Sequence, residues 1–447
     1  MCAHITDSVL YRHLWGTDET HALLDDGPRV QRWLDILAAL AAAQAEVGLM
    51  PDDAARAIAD HADVALLDLD DVAAETRACG HSTLGLIRCL RRVLPEPARE
   101  WVYYGATVQD LTDTWTALVL RDVGALVARE LADIEQAART LAQQHRDTVM
   151  PGRTHGQPGL PITFGFKAAV WAAELGRHRA RLTEGRRRWE VAQLGGALGT
   201  MEFWGDAALP LLDAFARRVG LAAPDVPWLT ARDGVAEFVN LLALITATLG
   251  KIGQEVYALQ RPEIGELAEP VTTGQVGSIT MPHKRNPELS EHLVTLARLV
   301  RSDASVAVEA MVVEHERDGR AWKTEWAIVP EVCLYSHTAL RLAHTLLDGL
   351  RADPDRMRAN VDAHGGYLVS EPVMRALAAR IGKHAAHEVI YEASLAGRER
   401  GVDLRTALLA DSRVTAHLKA DDIDRCLDPE AALGAARSFV DRVAGEA

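Results

Sequence analysis

Between Val235 and Leu259 the apolar residues Val235, Val239, Leu242, Ile245, Leu249, Ile252, Val256 and Leu259 recur at steps of three and four. On a helix this near-heptad spacing forms one continuous apolar stripe, and a stripe that long needs other helices packed along it at shallow angles. The stretch therefore predicts a bundle of long helices. Composition agrees: hydrophobic residues make up 48% of the chain but aromatics only 5%, so the apolar mass is Ala, Leu and Val, which favours helix. At 447 residues the chain can hold two or three domains with large cores.

Taken in order, residues 1 to about 110 read as short helices. The Ala-rich stretch Val30 to Leu49 stops near Gly48 and Pro51, and Asp52-Asp53 opens the next helix. Long helices follow: Leu118 to His145, Ile162 to Gln193, Val235 to Leu259, one beginning at Pro287, and one from Glu331 to Leu350. The segment MPGRTHGQPGLP, residues 150–161, reads as a Gly- and Pro-rich break between the first two. Beyond about residue 350 shorter helices return, separated by Gly365-Gly366, Gly382 and Gly401. The expected fold is all-α with three helical domains: 1-110, 111-350 and 351-447.

The net charge of −15 argues against a nucleic-acid partner. The densest basic run, Arg186-Arg187-Arg188, reads as a solvated helix face or a subunit contact. Cys2, Cys79, Cys89, Cys333 and Cys426 are scattered, with no CxxC pair. That points to a reducing compartment and away from a disulfide framework or a zinc site. The N-terminus MCAHITDSVLYRH lacks the apolar core of a signal peptide, and no segment reads as an uncharged membrane span. A soluble, cytoplasmic protein is expected. Neither a metal-ligand spacing nor a Gly-rich dinucleotide fingerprint is present, so no metal and no organic cofactor is expected.

Chemistry concentrates in a few stretches. Thr273 to Glu291 reads TGQVGSITMPHKRNPELSE. Gly274 and Gly277 make its first half a loop. In its second half Asn286 suits an N-cap, Pro287 the first helical position and Glu288 the positive end of the helix dipole. A hydroxyl on such a loop (Ser278), near Lys284 and a helix N-terminus, suits binding and deprotonating a carboxylic acid. Gly80-His81-Ser82 interrupts a helical pattern, placing His81 either as a cap or for acid/base work. In WVYYGATVQDLTDT, residues 101–114, Gly105-Ala106-Thr107 is a tight turn that Asp110 or Thr114 could follow as a cap. Arg153, Thr154 and Gln157 make the surroundings of His155 unusually polar. VVEHERDGRAWKTEW, residues 312–326, reads by default as a salt-bridged helix face.

These stretches resemble known signatures. GSITMPHKRNP is similar to the GSSxMPxKxNP loop of the fumarase/aspartase superfamily, with Ile279 where a second Ser is usual. GRTHGQP matches the start of that superfamily's GRTHxQPAxPTTFG motif. GATVQDLTDT resembles GATSQDxxDT, with Val108 in place of Ser. Tyr103 stands where many relatives carry His. ERDGRAWKTEW looks like the 3-carboxy-cis,cis-muconate cycloisomerase branch, which also contains lyases of substituted succinates such as nitrosuccinate. Adenylosuccinate lyases tend to carry Ser-Ser and an Arg in this last stretch, so Trp322, Lys323 and Trp326 argue against a nucleotide substrate.

The resemblance implies a central long-helix bundle forming a tetrameric helical core, with each active site shared by three subunits. It implies Ser278, His155, His81 and Lys284 as catalytic residues. It assigns Thr107, Gln109, Tyr103, Thr154, Gln157, Asn286, Met281 and Arg317 to substrate binding. The expected reaction is β-elimination from a small 2-substituted succinate, nitrosuccinate being one instance, with Ser278 as general base and fumarate released. Val108 and Tyr103 alter polar contacts, which points to a leaving group that needs little acid assistance. The alternatives are a 3-carboxy-cis,cis-muconate cycloisomerase, an adenylosuccinate lyase and a non-catalytic structural protein on the same fold.

Overall fold

The computed structural model describes residues 4–271, 274 and 277–445. Cys2, and Thr273, Gln275 and Val276 of the first half of the signature loop, lie outside the described residues. The fold is all-α. Its long helices are Val108–Gln144, Phe164–Trp189, Asp233–Leu259, Glu288–Glu309 and Gly319–Asp348. The heptad stripe from Val235 to Leu259 is buried along its whole length. By length and composition the helix Asp233–Leu259 would also qualify as a membrane span, which the sequence reading did not register. However, 72% of its most apolar window is buried inside the protein, as befits a core helix.

Two helices begin earlier than expected. The first starts at Val108, not Leu118. Asp110 sits at its third position and reaches back to accept from the Thr107 backbone N–H at 2.9 Å, half of a capping box. The last starts at Gly319, not Glu331, and runs straight through Pro330. A proline normally ends a sequence-based helix reading. Here Ile328, Val329, Val332 and Cys333 are buried on both sides of it, and packing overrides the lost backbone bond.

Residues 150–161 are not an irregular break. Strands Val149–Thr154 and Gln157–Thr163 pair antiparallel around a two-residue turn, His155-Gly156. Both turn residues have positive φ, 53° and 73°, the geometry whose twist suits a tight hairpin. Prolines hide the pattern from a sequence reading. Pro151 faces Pro161 across a two-stranded ribbon, where a missing N–H can point to an outer edge. Gly152 is required by closeness: a Cβ there would lie 2.6 Å from the Leu160 carbonyl oxygen.

Contacts divide the chain into two units. One comprises Met1–Glu130, His178–Ala247 and Thr295–Arg341; the other comprises Leu131–Arg177, Thr248–Val294 and Leu342–Ala447. In the first, helices Asp26–Glu46 and Asp52–Asp60 pack together, and Leu34, Leu37, Leu40 and Ile58 on them are buried. In the second, Val373, Leu377, Ile390, Leu404, Leu408 and Ile423 form a compact core among the short C-terminal helices.

Candidate active site

In the first unit the turn before helix Val108–Gln144 is drawn tight. Gly105 has φ 78°, and a Cβ on it would lie 2.3 Å from the Phe203 ring. The turn presents Thr107, whose Oγ1 accepts from Arg317 Nη1 at 3.1 Å. Arg317 Nη2 donates to the Ala197 carbonyl at 3.0 Å and to that of Gly196 at 3.5 Å. Its Nε is buried with no partner. Among the described residues no carboxylate pairs with Arg317, so this guanidinium is held only by neutral oxygens. A planar fork of that kind is suited to a ligand carboxylate.

Tyr103 opens the same turn and is hydrogen-bonded to Thr83, two residues beyond His81. His81 Nδ1 accepts from the backbone N–H of Thr83 at 3.4 Å and of Leu84 at 3.3 Å. It thereby caps helix Leu84–Val93, whose own N-cap side chain, Thr83, makes no capping bond. An Nδ1 that accepts leaves the ring proton on Nε2. Both readings of His81 are thus compatible with its place: it caps a helix, and it is an exposed residue whose Nε2 has no hydrogen-bond partner among the described residues. Tyr103 adopts φ 65°. Burial pushes its phenol well above the usual tyrosine range, with a Thr83 hydrogen bond opposing, so it acts as a neutral hydroxyl.

Gln109 is placed differently from expectation. It is fully buried, and its Nε2 donates to Asp113 Oδ2 at 2.9 Å and to the Leu229 carbonyl at 2.7 Å. Both amide hydrogens are used inside the protein, which leaves it no role in holding substrate directly. It belongs to a buried network around Arg232. Arg232 donates to Asp113 at 2.6 and 3.1 Å, to Glu325 Oε1 at 2.9 Å and also to Glu325 Oε2. Trp322 Nε1 donates to Asp113 Oδ1 at 3.0 Å. Burial opposes the charge on Arg232, but Asp113 and Glu325 more than offset it and hold the guanidinium protonated. Trp322 therefore faces the core, and its bulk says nothing about a nucleotide; Lys323, beside it, is exposed. No sequence signal announced Arg232, because its partners come from two distant helices.

In the second unit Ser278, Met281, Lys284 and Asn286 share one loop. Ser278 Oγ accepts from the Met281 backbone N–H at 3.0 Å. A donor aimed at that oxygen stabilises it as an anion, and so favours the basic form. Lys284 is exposed, and its backbone N–H closes a turn on the Met281 carbonyl at 2.9 Å. Asn286 is committed elsewhere: its Nδ2 donates to the Gly277 carbonyl at 2.9 Å, pinning the loop. Nor does it cap the helix, which begins at Glu288. The Leu289 and Ser290 N–H groups donate to the buried Glu269 carboxylate at 3.1 and 2.8 Å. The helix N-terminus is thus filled by Glu269 and is not open to a substrate carboxylate, while the Asn286 amide pins the loop and also donates to Glu288 Oε1 at 3.4 Å. The sequence reading missed Glu269 because it lies about twenty residues upstream, with no local cap pattern.

Thr154, His155 and Gln157 stand together at the tip of the hairpin, all exposed. Their side chains make no hydrogen bonds among the described residues. Arg153, one residue inside, is bound to the buried Glu266 at 2.8 and 2.6 Å, and Asn360 donates to Glu266 at 2.8 Å. That anchor fixes the hairpin from which the three polar residues project. Elsewhere, Glu19, Glu130 and His337 bring three ligand-type atoms within 4.8 Å of one another. Arg129 donates to both carboxylates at 2.9 Å, so the group reads as an ion-paired cluster rather than a cation site.

Residues 1–301 match the family model described as Lyase, and residues 366–443 match Adenylosuccinate lyase C-terminus. The chain is 39% identical to N-acetyl-S-(2-succino)cysteine lyase of Dickeya dadantii, over 99% of this chain and 97% of that one. It is 40% identical to 3-carboxy-cis,cis-muconate cycloisomerase of Pseudomonas aeruginosa, over 95% of this chain and 93% of that one. Among solved structures, a fumarate lyase from Mesorhizobium sp. BNC1 superposes with a TM-score of 0.91 at 36% identity, covering 97% of this chain and 99% of that one.

Proposed function

Because the chain belongs to the fumarase/aspartase superfamily and is a lyase of that group, we propose that it releases fumarate from a small 2-substituted succinate by β-elimination. The observation that carries this reading is Arg317, a guanidinium held against Thr107 by neutral oxygens alone. Such a group takes one substrate carboxylate. Ser278 Oγ then removes the proton from the carbon next to a carboxylate. The bond from the neighbouring carbon to its substituent breaks, and the substituent departs with the electron pair. The carbanion formed on the way is stabilised as an aci-carboxylate, which needs strong positive and N–H donors. Lys284, exposed on the same loop as Ser278, is the cation for that carboxylate. His155, at the hairpin tip, and His81, with its ring proton on Nε2, are the candidate proton carriers. The assembled enzyme is proposed to be a homotetramer whose sites draw on three subunits.

Tyr103 as a neutral hydroxyl, and Val108 with no polar group, suit a leaving group stable as an anion. Nitrite and a thiolate both fit, and the similarity to a lyase named for a succinylated cysteine supports the thiolate. Lactonisation of a carboxymuconate is the second reading, supported by the similarity to the cycloisomerase. An ultraviolet assay tests both, with N-acetyl-S-(2-succino)cysteine, nitrosuccinate, adenylosuccinate and 3-carboxy-cis,cis-muconate. Fumarate from one of the two small succinates is the expected result. Lactone formation alone would transfer the enzyme to the second reading, and turnover of adenylosuccinate alone would restore a nucleotide substrate.

A further inference from the structure

We infer that Asp110 is a positioning residue that builds the carboxylate cradle around Arg317, an inference that rests on the proposed function. Asp110 is buried and does not face open space. Its Oδ2 accepts from the Thr107 N–H at 2.9 Å and the Gly196 N–H at 3.1 Å. Its Oδ1 accepts from the Gly195 N–H at 2.7 Å and from Gln193 Nε2 at 3.4 Å. The segments it ties together are the same two that hold Arg317. Thr107 gives the guanidinium its side-chain oxygen, and Gly196-Ala197 give it their carbonyls.

A single carboxylate thus fixes both walls against which the arginine lies. The Gly195-Gly196 wall carries no side chains of its own with which to pack into place. Gly196 has φ 66°, and a Cβ on Gly195 would come within 3.0 Å of both Gly199 Cα and Pro227 Cβ. Gln193 extends the brace: its Oε1 accepts from the Trp228 N–H at 2.7 Å, and its own N–H donates to Thr114 Oγ1 at 3.1 Å. Asp110 never reaches the ligand. It acts by setting where Arg317 Nη1 and Nη2 point.

Asp110→Asn replaces one acceptor oxygen with an NH₂ that opposes the N–H groups around it, so one wall must release. A merely structural role would lower the amount of folded enzyme and leave the remaining molecules with normal substrate affinity. A positioning role separates the constants. In folded Asp110→Asn, KM and the calorimetric Kd for fumarate rise about tenfold, while kcat falls by less than about threefold. Should that variant fail to fold, Gly196→Ala keeps the buried charge but strains the wall at its positive φ, and the same split is expected. Folded variants that bind fumarate as wild type does would overturn the inference and leave the proposed function standing. Wild-type enzyme that binds neither fumarate nor succinate would remove the dicarboxylate reading, and the inference with it.

Discussion

Arg317 Nη1 donates to Thr107 Oγ1 at 3.1 Å, and no described carboxylate neutralises the guanidinium. The protein carries an excess of acidic residues, yet Arg317 lies half-buried against neutral oxygens, and its proposed role is to hold a negatively charged ligand. Arg317→Met is expected to lower kcat/KM by about 10- to 100-fold, the worth of a charge-assisted contact, with the fold unchanged by circular dichroism. Arg317→Lys should recover only part of that loss, because an ammonium cannot reproduce the fork. Steady-state kinetics on the accepted succinate checks both, and a variant with unaltered kcat/KM would remove Arg317 from substrate binding.

Arg232 has the opposite character. It is buried with Asp113 and Glu325, which it satisfies along with Gln109 and Trp322. Arg232→Met leaves two buried carboxylates unpaired and should cost roughly 3–5 kcal/mol in urea denaturation. Burial already pushes the Glu325 carboxyl above its ordinary range, with Arg232 holding it down. Removing the arginine should therefore drive Glu325 to its protonated form, seen as stabilisation of the variant at acid pH relative to neutral.

Asp110 gives a second dependence on pH. Burial pushes it up to about 6, against the donors from Thr107, Gly195, Gly196 and Gln193. Its folded value therefore lies above that of an unfolded aspartate, about 3.9. The folded state binds this proton more tightly, so the group's contribution to stability is complete below about 4 and is lost as pH rises through about 6. Over that window wild type should lose about 3 kcal/mol that Asp110→Asn does not lose, from this group alone. Thermal unfolding of both proteins at several pH values measures the difference. Parallel pH profiles would mean that Asp110 does not titrate in this range.

How far the sequence carried depended on whether the signal was local. The apolar steps from Val235 to Leu259 are a property of one helix, and the helix is there at Asp233–Leu259. The chemistry of Thr107, His155, Ser278 and Lys284 lies in contiguous motifs, and the structure displays these residues at turns, tips and loops. Gln109 and Trp322 lie in equally recognisable motifs but point inward, and one sequence does not state which way a side chain faces. Glu269, Arg232 and the hairpin at 149–163 were illegible for a different reason. Each depends on partners far along the chain, or on prolines whose missing N–H falls on an outer edge. Asp110 was readable in part: Thr107 and Asp110 have the spacing of a capping box, and only the contacts to Gly195 and Gly196 required three dimensions.

The central claim is that Ser278 takes the proton whose loss expels the substituent and leaves fumarate. It is tested most directly by following fumarate appearance in the ultraviolet with wild-type enzyme and Ser278→Ala side by side, on the succinate that wild type accepts. Wild type is expected to form fumarate, and a folded Ser278→Ala with wild-type affinity for fumarate is expected to turn over at least about 1,000-fold more slowly. A variant that forms fumarate at a rate near wild type would contradict it, and would place the base elsewhere, with His155 the next residue to replace.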